Sequence, residues 1–240
     1  MRLDQLLVAR GDFETRAQAQ AAIKAGAVRV NGAPALKPSQ TPPPDALIEA
    51  EAPHPWISRG GVKLAAAIDA FNIDPADLVC LDLGASTGGF TDVLLSHSAR
   101  RVYAVDVGRD QLHPRIAAEE RVVRLDGVNA KDLTADLIPE PIDLLVCDVS
   151  FISLLKAASR AMALVRPGGA MVALVKPQFE VGREHLGKGG IAGSEAAKRA
   201  VANVRAGIAS EPGWIDRGLV ESPIAGGDGN REWLVHLVRS

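Results

Sequence analysis

Aromatic side chains are scarce in this chain of 240 residues: Phe 5, Trp 3 and Tyr 1 leave its core to Ala, Leu, Val and Ile. Cysteine is scarcer still. Cys80 and Cys147 both lie in apolar runs, with no Cys-x-x-Cys pair and no histidine at ligand spacing. That excludes a disulfide framework and argues against a bound metal, and it suits a reducing, cytoplasmic setting. No apolar h-region follows Met1-Arg2-Leu3-Asp4-Gln5, and charge or proline interrupts each long hydrophobic run. Neither secretion nor membrane insertion is expected. The five histidines are scattered, and none is assigned to catalysis.

Positive charge is also short overall, with a formal net charge of −2, yet its distribution is uneven. Residues 1–40 hold Arg2, Arg10, Arg16, Lys24, Arg29 and Lys37 against Asp4, Asp12 and Glu14, so this piece is positive and the remainder negative. A phosphate-binding surface needs such local potential. The same piece opens with two short helical patterns, Leu3/Leu6/Leu7 and Ala19/Ala22/Ile23, the second ended by Gly26. Ala27 to Val30 reads as a strand entering an Asn31-Gly32 turn, and Ala46 to Glu49 as a last strand. Prolines 38, 42, 43, 44, 53 and 55 mark the edge of this small α+β domain. It is assigned to residues 1–52, with a linker at 53–59 and a second domain at 60–240.

From Gly61 the pattern alternates between helix and strand. Strands are read at Leu78–Leu83, Arg101–Val105, Val122–Leu125, Leu144–Cys147 and Ala170–Val175, with helices between them. Short, nearly continuous apolar strands separated by helices indicate an α/β domain whose parallel sheet is covered on both faces. Leu219–Ser222 and Trp233–Val238 follow each other without a helix, so the sheet should finish as an antiparallel pair.

Leu81-Asp82-Leu83-Gly84-Ala85-Ser86-Thr87-Gly88-Gly89-Phe90 ends one strand and begins a helix at the carboxyl edge of the sheet, where open α/β folds bind ligands. On motif grounds alone a plain tight loop or a dinucleotide-binding turn explains it as well. No Walker lysine is present and the glycine spacing differs from the dinucleotide fingerprint, which disfavours nucleoside triphosphates and nicotinamide cofactors. Asp82, Asp106, Asp126 and Asp148 fall at four strand ends. Aspartate there commonly caps a helix. It can also accept from ribose hydroxyls, as Asp106 would, or meet an adenine, as Asp126 would.

These blocks, with Tyr103-Ala104-Val105-Asp106-Val107-Gly108 and Cys147-Asp148-Val149-Ser150-Phe151, resemble the FtsJ-like class I (Rossmann-like) methyltransferases, most closely the TlyA family. Ser58-Arg59-Gly60-Gly61-Val62-Lys63-Leu64, Val175-Lys176-Pro177-Gln178-Phe179-Glu180 and Gly229-Asn230-Arg231-Glu232 extend the resemblance over essentially the whole chain. It implies S-adenosylmethionine as cofactor, held by Asp82, Gly84, Ala85, Ser86, Thr87, Gly88, Gly89, Phe90, Asp106, Val107, Asp126 and Asp148. It also implies a Lys63–Asp148–Lys176–Glu232 tetrad acting on a ribose 2′-hydroxyl, cytidine-directed, in ribosomal RNA or ribosomal subunits. A 2′-hydroxyl holds its proton tightly, so a positioned base or cation is required; Lys176, at the end of an apolar strand and before Pro177, is the candidate for either role. Lys63 would add a second cation, with Asp148 and Glu232 fixing the lysines.

The first domain resembles an RNA-binding domain of a small-subunit ribosomal protein. That implicates Arg2, Arg10, Arg16, Lys24 and Arg29 in phosphate contacts, with Arg59 beyond the linker. The Gly- and Lys/Arg-rich stretch 182–190 reads as a lid or as a plainly flexible loop. Two other classes remain open here: a non-catalytic ribosome-assembly factor, which need not bind the cofactor, and a membrane-active cytolysin, which the missing amphipathic segment disfavours.

Overall fold

The computed structural model describes residues 1–13, 15–51, 54–226 and 228–240, and the chain divides into two compact units, Met1–Pro55 and Trp56–Ser240. Ala52 and Pro53, where the first domain was expected to end and the linker to begin, lie outside the described residues.

In the first unit, α1 (Leu3–Ala9) and α2 (Arg16–Lys24) precede β1 (Val28–Val30), β2 (Ala33–Pro34) and β3 (Ile48–Ala50). Helix α2 begins at Thr15, whose side chain accepts from the Gln18 amide while the Gln18 side chain accepts from the Thr15 amide. This reciprocal cap satisfies two amides that the first turn otherwise leaves unpaired. Asn31 and Gly32, with φ of 53° and 77°, close the β1–β2 hairpin. The strands form an antiparallel sheet ordered β2-β1-β3. Leu3, Leu7, Phe13, Ala19, Ala22, Ile23, Val28, Ala35 and Ile48 make its core.

The second unit runs α3 (Arg59–Phe71), β4 (Val79–Leu83), α4 (Gly89–Ser96), β5 (Arg101–Asp106), α5 (Pro114–Ala117), β6 (Val122–Asp126), β7 (Ile142–Cys147), α6 (Leu154–Leu164), β8 (Val165–Val175), α7 (Ser194–Ala209), β9 (Trp214–Glu221) and β10 (Trp233–Arg239). The sheet is ordered β6-β5-β4-β7-β8-β10-β9. β4 to β8 are parallel, while β10 runs antiparallel to both its neighbours. The expected mixed sheet with an antiparallel final pair is therefore present, with the last strand inserted inside β9.

Two strands start earlier than the apolar runs suggest. β8 begins at Val165 because Arg166-Pro167-Gly168-Gly169 bulges out of register, with Ile142 opposite Val165 but Leu144 opposite Ala170. β9 begins at Trp214, where alternating burial along an edge strand replaces a continuous apolar run.

Side chains alternate between the two faces. Val79, Leu81 and Leu83 join the layer containing α6 and α7, while Cys80 joins the layer of α3 and α4 with Leu64, Phe90 and Leu94. The strand order reverses between β4, followed outward by β5 and β6, and β7, followed the other way by β8. That crevice is where an open α/β sheet can hold a ligand.

Candidate active site

At the carboxyl end of β4 the chain must turn beside β7 with very little room. Gly84 has φ +88°, and a Cβ there would sit 2.6 Å from the Asp148 carbonyl oxygen. The Gly84 and Ala85 amides both donate to the Val105 carbonyl, at 2.9 and 3.1 Å. Gly84→Ala should therefore destabilise the protein by about 2 kcal/mol or more, since a positive φ alone costs a Cβ-bearing residue about 1–3 kcal/mol. Cofactor affinity should fall more than tenfold. Urea unfolding with calorimetric titration checks both, and unchanged values would show that the turn tolerates a side chain.

Asp106, ending β5, organises the same loop. Its Oδ2 accepts from the Ser86 amide at 2.8 Å and its Oδ1 from the Gly108 amide at 2.7 Å. Each oxygen keeps a lone pair for a ligand hydroxyl. Gly84, Ser86, Asp106, Val107 and Asp148 line a cleft of about 480 Å³ at the β4–β7 switch point. Gln111, Val128, Asn129, Ser150, Phe151 and Ile152 also line it. Apolar walls beside a carboxylate and a glycine floor fit a nucleoside cofactor such as S-adenosylmethionine.

The other residues expected at the cofactor lie around this cleft rather than in its lining. Asp82 is fully buried on the α3/α4 side, where its Oδ2 accepts from the Thr91 hydroxyl at 2.6 Å and its Oδ1 has no partner. Phe90 packs in the same layer. Both follow the period-two alternation that sends Cys80 to that face. Ala85, Thr87, Gly88 and Gly89 form the turn into α4, with Gly88 at φ +93°. Asp126 is paired with Arg124 at the outer edge strand, next to Asp106 in register but outside the cleft.

Burial pushes the Asp82 carboxyl up to about 7, helped by the charges of Asp148 and Asp106 and opposed by the Thr91 hydroxyl. Between roughly pH 4 and 7 the folded protein holds a proton that the unfolded chain has released, so stability falls as pH rises, by about 1.4 kcal/mol per unit, and levels off above 7. Asp82→Asn should remove that slope. Urea unfolding at pH 5 and pH 8 should show wild type losing stability relative to the variant; parallel behaviour of the two would contradict it.

Four charged side chains expected to act together form two ion pairs at the carboxyl edge of the sheet. Lys63, on α3, places Nζ 2.5 Å from Glu232 Oε2, and both side chains are buried. Lys176, just after β8, places Nζ 2.6 Å from Asp148 Oδ1 and donates to Ser150 Oγ at 2.7 Å. Trp233 lies opposite Val175 in the β10–β8 ladder, so Glu232 and Lys176 are the next positions of adjacent strands. Asp148 directly follows β7, the other neighbour of β8.

Three features lay beyond the sequence reading. Ser150 holds Lys176. Phe151 is 89% exposed with φ +67° and contacts the Phe179 ring at a centroid distance of 5.0 Å. A non-glycine residue at positive φ carries a backbone cost, and here the ring is left in solvent. Asn230, 1% exposed, clamps the 182–190 stretch: its Oδ1 accepts from the Ala192 amide at 2.9 Å and its Nδ2 donates to the Gly190 carbonyl at 3.1 Å. That stretch forms two short turns, Arg183–His185 and Lys188–Gly190, with Leu186 bridged to Ala192. Arg59 donates to the Ala225 carbonyl at 2.5 Å and so braces the β9–β10 loop.

In the first unit, buried Asp4 ties Arg2 and Arg16, each at 3.0 Å, and accepts from Gln20 at 2.7 Å. Arg2, Gln20 and Arg16 hold its carboxyl well below the usual carboxylate range. Arg10 pairs with Asp12 and Arg29 donates to the Gly32 carbonyl, while Lys24 is exposed. Among the described residues there is no His/Cys/Asp/Glu cluster that could hold a metal ion, and no helix long and apolar enough to cross a membrane.

The sheet order β6-β5-β4-β7-β8-β10-β9, with its antiparallel end and a cleft at the switch point, is that of a class I S-adenosylmethionine-dependent methyltransferase. The chain belongs to the FtsJ-like methyltransferase family, whose model matches residues 56–239, and an S4 domain matches residues 1–48. It is 41% identical over 240 residues to the 16S/23S rRNA (cytidine-2′-O)-methyltransferase TlyA of Mycobacterium tuberculosis, covering 98% of this chain and 89% of that protein. Hemolysin A of Brachyspira hyodysenteriae is 38% identical over 239 residues, covering 99% and 100%. A solved structure named as a hemolysin from Streptococcus thermophilus matches with a TM-score of 0.78 at 38% identity, over 100% of this chain and 88% of that one. An O-methyltransferase from Bacillus cereus in complex with SAH shares the fold at a TM-score of 0.53 and 17% identity, over 76% and 82%.

Proposed function

We propose that this protein methylates a ribose 2′-hydroxyl, at cytidine, in ribosomal RNA. The observation that carries this reading is the pairing of two lysines with two carboxylates, Lys63–Glu232 and Lys176–Asp148, at the sheet edge beside the cofactor cleft. A ribose hydroxyl is a weak nucleophile that needs a nearby fixed cation, whereas a ring nitrogen or an exocyclic amine does not. The TlyA relative, named for cytidine-2′-O-methylation of 16S and 23S rRNA, supports the substrate.

S-adenosylmethionine, held in the cleft lined by Gly84, Ser86 and Asp106, would supply an electrophilic methyl group on a positively charged sulfur. Lys176, as the charged ammonium, donates to the 2′-hydroxyl oxygen and offsets the negative charge that develops there while the proton passes to solvent water. Asp148 fixes that ammonium, and the Lys63–Glu232 pair closes the back of the site. Phe151 offers its exposed face for stacking a base of the target RNA. Arg2, Arg10, Arg16, Lys24 and Arg29 on the S4 domain, with Arg59 beyond the linker, supply contacts to RNA phosphates.

Incubating the protein with ribosomal subunits and methyl-labelled S-adenosylmethionine, then mapping the label, tests the reading. Label on a 2′-oxygen of cytidine is expected. Label on a base, or none on either subunit, would overturn it; cofactor binding without transfer would favour an assembly factor.

A further inference from the structure

We propose that Ser150 is a positioning residue for the transfer: its hydroxyl, accepting from the Lys176 ammonium, fixes the directions in which the other two N–H groups point. The inference rests on the ribose 2′-hydroxyl reading above and deepens it. Nothing in the motif pattern singles out Ser150; its position does.

The Lys176 side chain is only 12% exposed, and Lys176 is not among the residues lining the cofactor cleft, whereas both partners of its ammonium, Asp148 and Ser150, are. The ammonium thus touches two groups of the cleft lining. An ammonium has three N–H donors in fixed tetrahedral directions. One is directed at Ser150 Oγ, 2.7 Å away, whereas Asp148 Oδ1, 2.6 Å away, holds the ammonium as an ion pair without hydrogen-bond alignment. Together with the Cε–Nζ bond, that one hydrogen bond sets the other two N–H directions; without it the ammonium turns freely about Cε–Nζ. A long lysine chain has the rotamer freedom to exploit that, and misplacement of a catalytic group by about 1 Å can cost on the order of 100-fold in rate.

The backbone makes that anchor stiff. Ser150 lies between Asp148, whose amide donates to the Leu83 carbonyl at 3.0 Å, and Phe151, locked at φ +67°. Beyond it, the Leu154 amide donates to Glu180 Oε1 at 2.7 Å, which ties the start of α6 to the segment following Lys176. Residues 148–154 are thus held at both ends against β4 and the end of β8, and the serine oxygen is carried on a braced turn. A threonine keeps the hydroxyl on the same Cβ; an alanine removes it while leaving the turn intact, because Ser150 is exposed.

Single-turnover methylation of ribosomal subunits by wild type, Ser150→Ala and Ser150→Thr provides the test, together with calorimetric titration of S-adenosylmethionine and the Lys176 side-chain ammonium signal in ¹⁵N-edited spectra of the cofactor-free protein. Ser150→Ala should transfer methyl about 10- to 100-fold more slowly, with cofactor and RNA affinities changed less than about threefold. Ser150→Thr should recover to within about threefold of wild type, and the ammonium signal should broaden in the alanine variant alone. Wild-type rate in Ser150→Ala, or a loss confined to cofactor affinity that threonine does not rescue, would overturn the proposal. If wild type itself leaves ribose unmodified, the ribose reading fails and the proposal falls with it. If wild type methylates ribose and Ser150→Ala keeps pace, only the proposal falls.

Discussion

Lys176→Ala is expected to lower single-turnover methyl transfer about 10³-fold while leaving S-adenosylmethionine affinity within a few-fold of wild type. The magnitude follows from removing the one cation that two groups of the cleft lining hold in place, where a positioned acid, base or electrostatic stabiliser contributes about 10²- to 10⁴-fold. The split between rate and binding follows from geometry. Lys176 touches the cleft lining through Asp148 and Ser150, and the loop that shapes the cofactor site is fixed by Gly84, Asp106 and the Val105 carbonyl. Rapid-quench kinetics on saturated complexes, with calorimetry for the cofactor, measure the two separately. A variant that loses cofactor binding in proportion to rate would show that Lys176 shapes the cleft instead.

Lys63→Met is expected to do something different: it should cost about 3–5 kcal/mol of stability, because it leaves the Glu232 carboxylate buried without its counter-charge. Lys63 and Glu232 are 8% and 3% exposed, so water cannot take over the lost contact. Adding Glu232→Leu should return most of that loss, since an apolar pair of similar volume avoids the desolvation of both charges. Methyl transfer should not return with it. Urea unfolding of the two single variants and the double variant gives the coupling energy. If the double variant is as unstable as Lys63→Met, burial of the unpaired carboxylate is not the cause. If it is stable and fully active, the pair is structural only.

How far the sequence exposes this site depends on which physical signal each residue leaves. Parallel strands covered on both faces leave apolar runs, so β4, β5, β7 and the core of β8 were legible, and the helix-free connection before Trp233 marked the antiparallel end. The edge strand β9 was legible only in part, since one face meets solvent and its start carries Ile215, Asp216 and Arg217. Strand ends were legible as a class but not one by one. Asp82, Asp106, Asp126 and Asp148 look alike in sequence, yet one is buried behind the sheet, one ties two loop amides, one pairs with an arginine on the edge, and only the last meets a lysine at the site. The alternation Val79, Leu81, Leu83 does contain the sign that sends Asp82 to the α3/α4 face; it was outweighed by the glycine turn beside it.

Contacts between distant parts of the chain left no local pattern. Lys63 and Glu232 are 169 positions apart, and no spacing rule links them; family resemblance, not periodicity, had grouped them. Ser150, Phe151 and Asn230 are ordinary residue types whose importance comes from burial, exposure or backbone angle, quantities that exist only once the chain has folded.

The placement of β10 between β8 and β9 bears on the order in which the sheet is completed. During synthesis the parallel strands emerge first and can pair in order, and β9 emerges before the strand that separates it from β8. That earlier-made strand therefore cannot settle against β8 without occupying the position its successor needs. Glu232, at the entrance to β10, reaches Lys63 only when the final hairpin inserts. The Lys63–Glu232 contact thus joins the first helix of the sheet unit to the β9–β10 hairpin and is complete only once both are in place.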